Sequence, residues 1–454
     1  MLMFDGSGVS RTEGGAMGTT RRKLFGLALA ATGALLLSCR GSGGSPSPGP
    51  ASPTAGGIPS PTPAANLEPT PLPTRGTTTP AAVKRPIKVG LLVQLTGVYA
   101  ALGQEHVRAT TLLIESRGGQ LGSFPIELLV EDEGQSVDDG LNKALKLVQR
   151  DQVDILAGIL KSTVLYAVRD LVHEAGVPLI GTTAGPHRLI FDPQLKSPYI
   201  WRTSYANGQL NYPMGDYAYS TLGYRRVAVL ATDHAGGREH ASGFMNRFRE
   251  LGGEIVGEIY VPLDTVDFAP YLQQVSGFGA DAVWAWFAGA DALRFVTQWE
   301  DFGLKGQVPL IGSGWLTDEP VLPEQGEAAE GIITSFHYSP YVQTVEMQNF
   351  VSSFRQRYGV FPGVTAYNGY IFARALEEAL SKLPGNFSRE AFLAALGSLD
   401  FEGPTGRYRI DPETQGPVLT VFIRRVDRMQ QEFGNVVIAS FPDVPDRVAR
   451  PPSA

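Results

Sequence analysis

Six short stretches carry residue types suited to holding a small anion, and none carries a set that would transform one. Thr96-Gly97-Val98-Tyr99-Ala100-Ala101-Leu102-Gly103 places one aromatic ring among small residues, between an apolar run and a helical pattern. Small residues let the backbone approach a ligand, and a helix N-terminus offers unpaired N–H groups to an anion. Lys161-Ser162-Thr163 stands in the equivalent place after Gly158. There Ser162 can cap its own helix and also offer a hydroxyl to a carboxylate. Thr182-Thr183-Ala184-Gly185 closes the same rim. Tyr205-Ala206-Asn207-Gly208, at an expected crossover, and further on Trp286-Phe287-Ala288-Gly289 and Ser313-Gly314-Trp315 set aromatic rings beside glycines. That composition makes an apolar, flat-walled pocket. Trp284 shares its side of a regular strand with Trp286 and is expected in the core.

Catalytic signatures are missing from the sequence. It contains no P-loop, no G-x-S-x-G, no H-E-x-x-H and no dinucleotide glycine fingerprint. The six histidines (106, 173, 187, 234, 240 and 337) do not cluster at metal-ligand spacing. They are expected to be ordinary surface or half-buried residues. Asp233 or His234 could serve as a base, but no nucleophile or acid pairs with either, so no enzymatic activity, metal or cofactor is expected. A net charge of −7 without a long basic run argues against nucleic acid as a partner.

The elements that would position these loops follow from periodicity. Val177-Pro178-Leu179-Ile180-Gly181 recurs as Val308-Pro309-Leu310-Ile311-Gly312. Each copy ends a pattern of strand, loop, helix, glycine stop and strand, which is one right-handed βαβ unit. The spacing predicts two related α/β lobes with parallel sheets, and in such sheets ligands sit beyond the carboxyl ends of the strands. Further strands are expected at Ile87–Leu95, Ile126–Val130, Tyr199–Thr203, Arg226–Ala231, Glu254–Val261 and Gly331–Phe336. Helices are expected over 345–358 and 365–383, and a terminal hairpin at 407–410 and 418–425.

The N-terminal segment reads as targeting. Arg21-Arg22-Lys23 precedes an apolar stretch from Leu24 to Leu37, too short for a comfortable membrane span. It ends at Leu36-Leu37-Ser38-Cys39, which resembles a bacterial lipobox and carries the only cysteine of the chain. Cys39 is therefore the expected lipidation site and membrane anchor, with Met17 an alternative start. Residues from Arg40 to about Pro80 are Pro-, Gly-, Ser- and Thr-rich and cannot offset the entropy of ordering.

Several of these pieces resemble the type I periplasmic binding proteins of the branched-chain amino-acid group, the extracytoplasmic receptors of ABC importers. The likeness rests on Lys88-Val89-Gly90-Leu91-Leu92 with Leu95-Thr96-Gly97, on Gly158 with Ser162, and on Val177-Pro178-Leu179-Ile180. It continues through Trp201-Arg202-Thr203 and Gly369-Tyr370, and spans Pro86 to about Val437. It implies two Rossmann-like lobes joined by three crossovers and closing on ligand about a hinge. The expected division is residues 1–39 as signal peptide and 40–85 as tether. Residues 86–204 with 337–415 form one lobe and 205–336 with 416–442 the other, leaving 443–454 as a frayed tail.

The resemblance also implies site roles. Ser162 stands where the family binds carboxylate and Thr183 where it contributes backbone, while Gly185 replaces an expected threonine. The acids that grip an α-ammonium are Asn207 and Gly314 here, and a second-lobe tyrosine is Gly236. An ammonium buried without a counter-charge is costly. The expected ligand is thus a small carboxylate, an aromatic or apolar acid before a branched-chain amino acid. It would be held by Tyr99, Leu102, Lys161, Ser162, Thr183, Ala184, Gly185, Tyr205, Asn207, Gly236, Phe287, Ala288 and Trp315. The protein is expected to be a monomeric, lipid-anchored, extracytoplasmic receptor that hands its ligand to an ABC permease. The alternative is a sensor of the same fold that works through a separate signalling partner.

Overall fold

The computed structural model describes residues 84–430 and 432–450. The expected signal peptide, Cys39 and the tether up to residue 83 lie outside the described residues. Continuous apolar runs, buried on both faces, form the central strands of each sheet, as a helix-covered parallel sheet requires. The first sheet comprises β1 (Ile87–Val93), β2 (Gln120–Leu121), β3 (Phe124–Asp132), β4 (Ile155–Gly158), β5 (Leu179–Gly181) and β6 (Ile200–Arg202), in the order β2-β3-β1-β4-β5-β6. All its pairings are parallel except that of β2 with β3. Helices α1 (Ala100–Ser116), α2 (Val137–Leu145), α3 (Ser162–Ala175) and α4 (His187–Phe191) connect these strands.

The second sheet holds β7 (Arg226–Thr232), β8 (Glu254–Val261), β9 (Ala282–Trp286), β10 (Leu310–Ser313) and β11 (Ile333–Phe336). They are interleaved with α5 (Tyr212–Asp216), α6 (Ala235–Glu250), α7 (Ala269–Val275), α8 (Ala290–Asp301) and α9 (Leu322–Gln325). The duplicated motif is thus β4-α3-β5 in one lobe and β9-α8-β10 in the other, each pair of strands parallel. Gly176 and Gly303 end the two helices with φ of 59° and 77°, a left-handed conformation that glycine adopts without strain.

Two more glycines set the helix N-termini against their strands. A Cβ on Gly103 of α1 would lie 1.9 Å from the Gln94 carbonyl oxygen, and one on Gly237 of α6 would lie 2.1 Å from that of Thr232. No side chain fits at either place, so the first turns of α1 and α6 sit directly over strand ends.

After β11 the chain forms α10 (Val345–Tyr358), α11 (Val364–Ser381) and α12 (Arg389–Gly397), and α11 lies along α1 of the first lobe. It returns through β12 (Asp400–Gly403), β13 (Gly406–Asp411), β14 (Gly416–Met429) and β15 (Glu432–Val444). β14 pairs with β13 at its start and with β11 at its end, so one strand spans both lobes.

Two sequence expectations need correction here. The hairpin gains two strands, β12 antiparallel to β13 and β15 antiparallel to β14 over most of its length. The expected frayed tail is packed at least as far as Ala449: Asp446 is buried and pairs with the buried Arg202 of β6 at 2.7 Å. Proline-rich composition predicts a loose end, but a buried arginine needs a counter-charge and Asp446 supplies it.

A second buried charge cluster sits where α1, α11 and the second sheet meet. Glu105 accepts from the Gly363 amide (3.2 Å), and Asp318 accepts from the Val364 amide (3.0 Å), so acids from both lobes serve the N-terminus of α11. Burial, then the charge of Glu319, pushes the Glu105 carboxyl up to about 8. The folded state therefore keeps this proton in a pH range where the unfolded chain has released it. Its contribution is present below the ordinary glutamate value and lost as pH rises through about 8. Between about pH 5 and about pH 8 the wild type should lose more thermal stability than Glu105→Gln. Parallel melting curves for the two proteins over that window would remove Glu105 as the source.

Candidate functional site

A narrow cavity opens between the carboxyl ends of the two sheets. It is lined by Tyr99, Leu102, Leu160, Lys161, Ser162, Thr183 and Ala184 from the first lobe, and by His234, Gly236, His240, Trp286, Ala288 and Trp315 from the second. Tyr205 and Asn207 line it from the connection between them. Eleven of the thirteen residues anticipated from sequence are in this set. Phe287 and Gly185 are not. Strand alternation turns Phe287 away from Trp286 into the core of the second lobe, where its ring centroid lies 4.5 Å from that of Phe295. Gly185 acts through its backbone: its amide donates to Asn207 Oδ1 at 3.2 Å, and a Cβ there would lie 1.9 Å from the Tyr205 carbonyl oxygen.

The first-lobe wall is built around the start of α3. Glu133 accepts from the Leu160 amide (2.8 Å) and the Lys161 amide (3.1 Å). Burial raises its carboxyl to about 7 against the pull of those amides and the nearby ammonium. Lys161 Nζ donates to the Gly134 and Gln135 carbonyls, both at 2.9 Å, so it holds the loop while its head points away from a ligand. The first helical bonds of α3 come from Val164 and Leu165, which leaves the Ser162 and Thr163 amides at the open end of the helix. Asn207 Nδ2 donates to Ser162 Oγ at 2.9 Å. The serine oxygen is thereby an acceptor within the protein, and its own proton is available to a ligand.

The second-lobe wall is built around the start of α6. His234 caps this helix: its Nδ1 accepts from the Gly237 amide at 3.1 Å. Burial lowers the ring to about 4, so it is neutral near pH 7 and carries its proton on Nε2. That nitrogen lies 3.3 Å from Tyr99 Oη across the cleft. With the tyrosine oxygen accepting, its hydroxyl proton also faces the cavity. Gly236 abuts the same place, since a Cβ on it would lie 3.4 Å from Ser162 Oγ.

Trp286 stands between two imidazoles, stacked on His240 with centroids 5.2 Å apart and meeting His234 edge-on at 5.3 Å. Trp284 shares its face of β9 but stacks on Phe244 in the core, as expected. The sequence does not single out Leu160, His234 or His240 as ligand contacts, and it offers Trp286 only as part of a strand-end stretch. A signal was available for one of them. His240, Phe244 and Phe248 follow at i, i+4 and i+8 on α6, so the stripe that packs on β9 carries His240 to the strand's carboxyl end.

None of the side chains lining the cavity is a carboxylate. Glu239 of α6 lies behind Asn207, and it is already engaged. It accepts from Tyr166 Oη (2.9 Å), the His187 amide (3.1 Å) and Asn207 Nδ2 (2.8 Å). One second-lobe carboxylate thus pins α6 to α3 and to the loop before α4. Gly314, where an acid was considered, has no room for a side chain: a Cβ would lie 2.2 Å from the Phe336 ring. Among the described residues no cluster of histidine, cysteine and carboxylate side chains could hold a metal ion, and no helix is long and apolar enough to cross a membrane.

Comparison with known proteins places this geometry in context. A family model described as "Periplasmic binding protein" matches residues 86–431. The Leu/Ile/Val-binding protein homolog 6 of Brucella melitensis is 30% identical over 355 residues, 76% of this chain and 89% of its own length. An ABC transporter substrate-binding protein from Sphaerobacter thermophilus is 42% identical with a TM-score of 0.75, covering 80% of this chain and 99% of that one. A solute-binding protein of an ABC transporter from Rhodopseudomonas palustris, solved in complex with 3,4-dihydroxybenzoic acid, is 33% identical with a TM-score of 0.75. It covers 79% of this chain and 98% of that one.

The Glu239 contacts make a direct prediction. Glu239→Ala leaves three donors without their acceptor and frees α6 from the first lobe. Affinity for ligand should fall by about tenfold or more, the equivalent of one hydrogen bond to a charged group. Titration calorimetry of both proteins measures it, and unchanged affinity would mean that Glu239 does not hold the lobes together.

Proposed function

The chain belongs to the type I periplasmic binding proteins of ABC transporters, in the branched-chain amino-acid-binding family, and we propose that its ligand is a small aromatic carboxylate without an amino group. Members of this family are extracytoplasmic solute receptors and not enzymes. The observation that carries the ligand assignment is the one-sided polarity of the cavity. Ser162, the open end of α3 and Tyr99, which His234 orients, all present donors, and no lining residue is a carboxylate. An anion gains from this arrangement, whereas an α-ammonium would be buried without a counter-charge. Aromatic rings at Tyr99, Tyr205, Trp286 and Trp315 supply flat walls. The benzoic-acid ligand of the Rhodopseudomonas relative supports the same class. Capture between lobes precedes delivery to a membrane permease, and no bond is made or broken.

A thermal-shift panel of leucine, isoleucine, valine, benzoates, cinnamates and short fatty acids tests the assignment. A ligand at a hundred times its dissociation constant stabilises by about 2.7 kcal/mol. Benzoates should raise the melting temperature and leucine should not. A shift with leucine alone would require an ammonium partner that this cavity lacks.

Lipid anchoring at Cys39 belongs to the same proposal, supported by the position of the sole cysteine after Leu36-Leu37-Ser38. Expressed in a bacterium, the wild type should fractionate with membranes and Cys39→Ser should be released. Retention of the variant would point to an uncleaved apolar anchor instead.

A further inference from the structure

The part of the cavity formed by His240, Trp286, Tyr205 and Trp315 has a polarity of its own. His240 Nδ1 accepts from Asn211 Nδ2 at 2.9 Å. The amide is oriented by Ser335, whose hydroxyl donates to Asn211 Oδ1 at 3.4 Å. His240 therefore carries its proton on Nε2, the ring nitrogen not turned to Asn211. Its ring is held in the neutral form by burial and by three neighbouring histidines. Trp286 Nε1 is buried with no acceptor among the described residues, in a residue 5% exposed. Unpaired buried donors are costly, and an occupant that brings an acceptor relieves them. Tyr205, 1% exposed, packs edge-on against His240 and keeps its hydroxyl proton because burial pushes its pKa far up.

Position supplies the second half of the argument. Gly236 abuts Ser162 Oγ, and His240 follows it on the same face of α6 one turn later. One turn is about 5.4 Å along the helix, comparable with the span of a benzene ring. A ring whose carboxylate meets Ser162 would thus carry its far edge towards His240 and Trp286.

We propose that this wall reads a hydroxyl on the ligand's ring, so that the ligand class is the hydroxylated benzoates. The inference rests on the carboxylate reading of the cavity and narrows it. The wall is neutral, which selects an uncharged oxygen over a second carboxylate. The ring hydroxyl accepts from His240 Nε2, and the flat walls of Trp286 and Tyr205 hold the ring.

Titration calorimetry of the full chain with benzoate, 4-hydroxybenzoate, 3,4-dihydroxybenzoate, terephthalate and leucine tests it. At least one hydroxylated acid should bind about tenfold or more tightly than benzoate, because a site built around a hydroxyl discriminates against the analogue that lacks it. Terephthalate should gain nothing over benzoate. In His240→Phe the ratio of hydroxylated to plain benzoate should collapse towards one, and in His240→Gln, which keeps an N–H donor, it should partly return. Trp286→Phe provides the second variant should His240→Phe fail to fold, and it should lower the same ratio. Equal affinity for benzoate and its hydroxylated forms overturns this inference and leaves the carboxylate assignment standing. Binding of leucine with no benzoate bound overturns both.

Discussion

Two helix N-termini meet across the cleft, and the rest of the site follows from their need for acceptors. α3 begins at Ser162 and α6 at Ala235, and Gly236 lies against Ser162 Oγ. Both ends carry unpaired amides and the positive end of a helix dipole. Bringing them together is unfavourable unless negative charge stands near. The protein supplies some of it from the side through Glu239 and behind α3 through Glu133. The cavity itself is left without a carboxylate, and the proposed anionic ligand rests on that absence.

The architecture secures that convergence with backbone more than with side chains. Gly103 and Gly237 hold the first turns of α1 and α6 against strand ends at distances no Cβ tolerates. Glu133 and Lys161 fix the loop entering α3 by bonding its amides and the neighbouring carbonyls. At the far side of the molecule, β14 spans both lobes, and acids from both lobes bond the first amides of α11. The cleft thus has a firm rim, and the lobes are joined beyond it by buried acids whose carboxyls burial pushes up.

The histidines show how tertiary packing assigns chemistry to a versatile side chain. His234 and His240 are each held neutral by burial, and each spends Nδ1 on a neighbour's N–H. Both therefore act as fixed N–H donors, His234 to the Tyr99 hydroxyl oxygen and His240 towards the cavity, not as bases or metal ligands. His106 is also buried and neutral but sits on α1 against α11, where the Thr110 hydroxyl lies 3.4 Å from its Nδ1.

Much of this was legible in the sequence. The repeated Val-Pro-Leu-Ile-Gly core fixed two βαβ units because apolar period and glycine stops are local properties of the chain. The strand-end loops marked the rim for the same reason, since hydroxyls and glycines at helix starts are local signals. The family resemblance sets Asn207 where an acid is expected, and an acid missing from a position is visible without coordinates. What the chain order hid was everything that depends on facing. Phe287 and Trp286 are neighbours in sequence, but strand alternation puts one in the core and the other in the cavity. His240 is a lone histidine until α6 lies on β9 and stacks it on Trp286. Asp446 belongs to a proline-rich end until Arg202, far away in the chain, needs a counter-charge. Local propensity and composition determined the elements and the class of site. Only the packed structure decided which side chains face the ligand and which proton each of them offers, because burial and hydrogen-bond partners are set by residues distant in sequence.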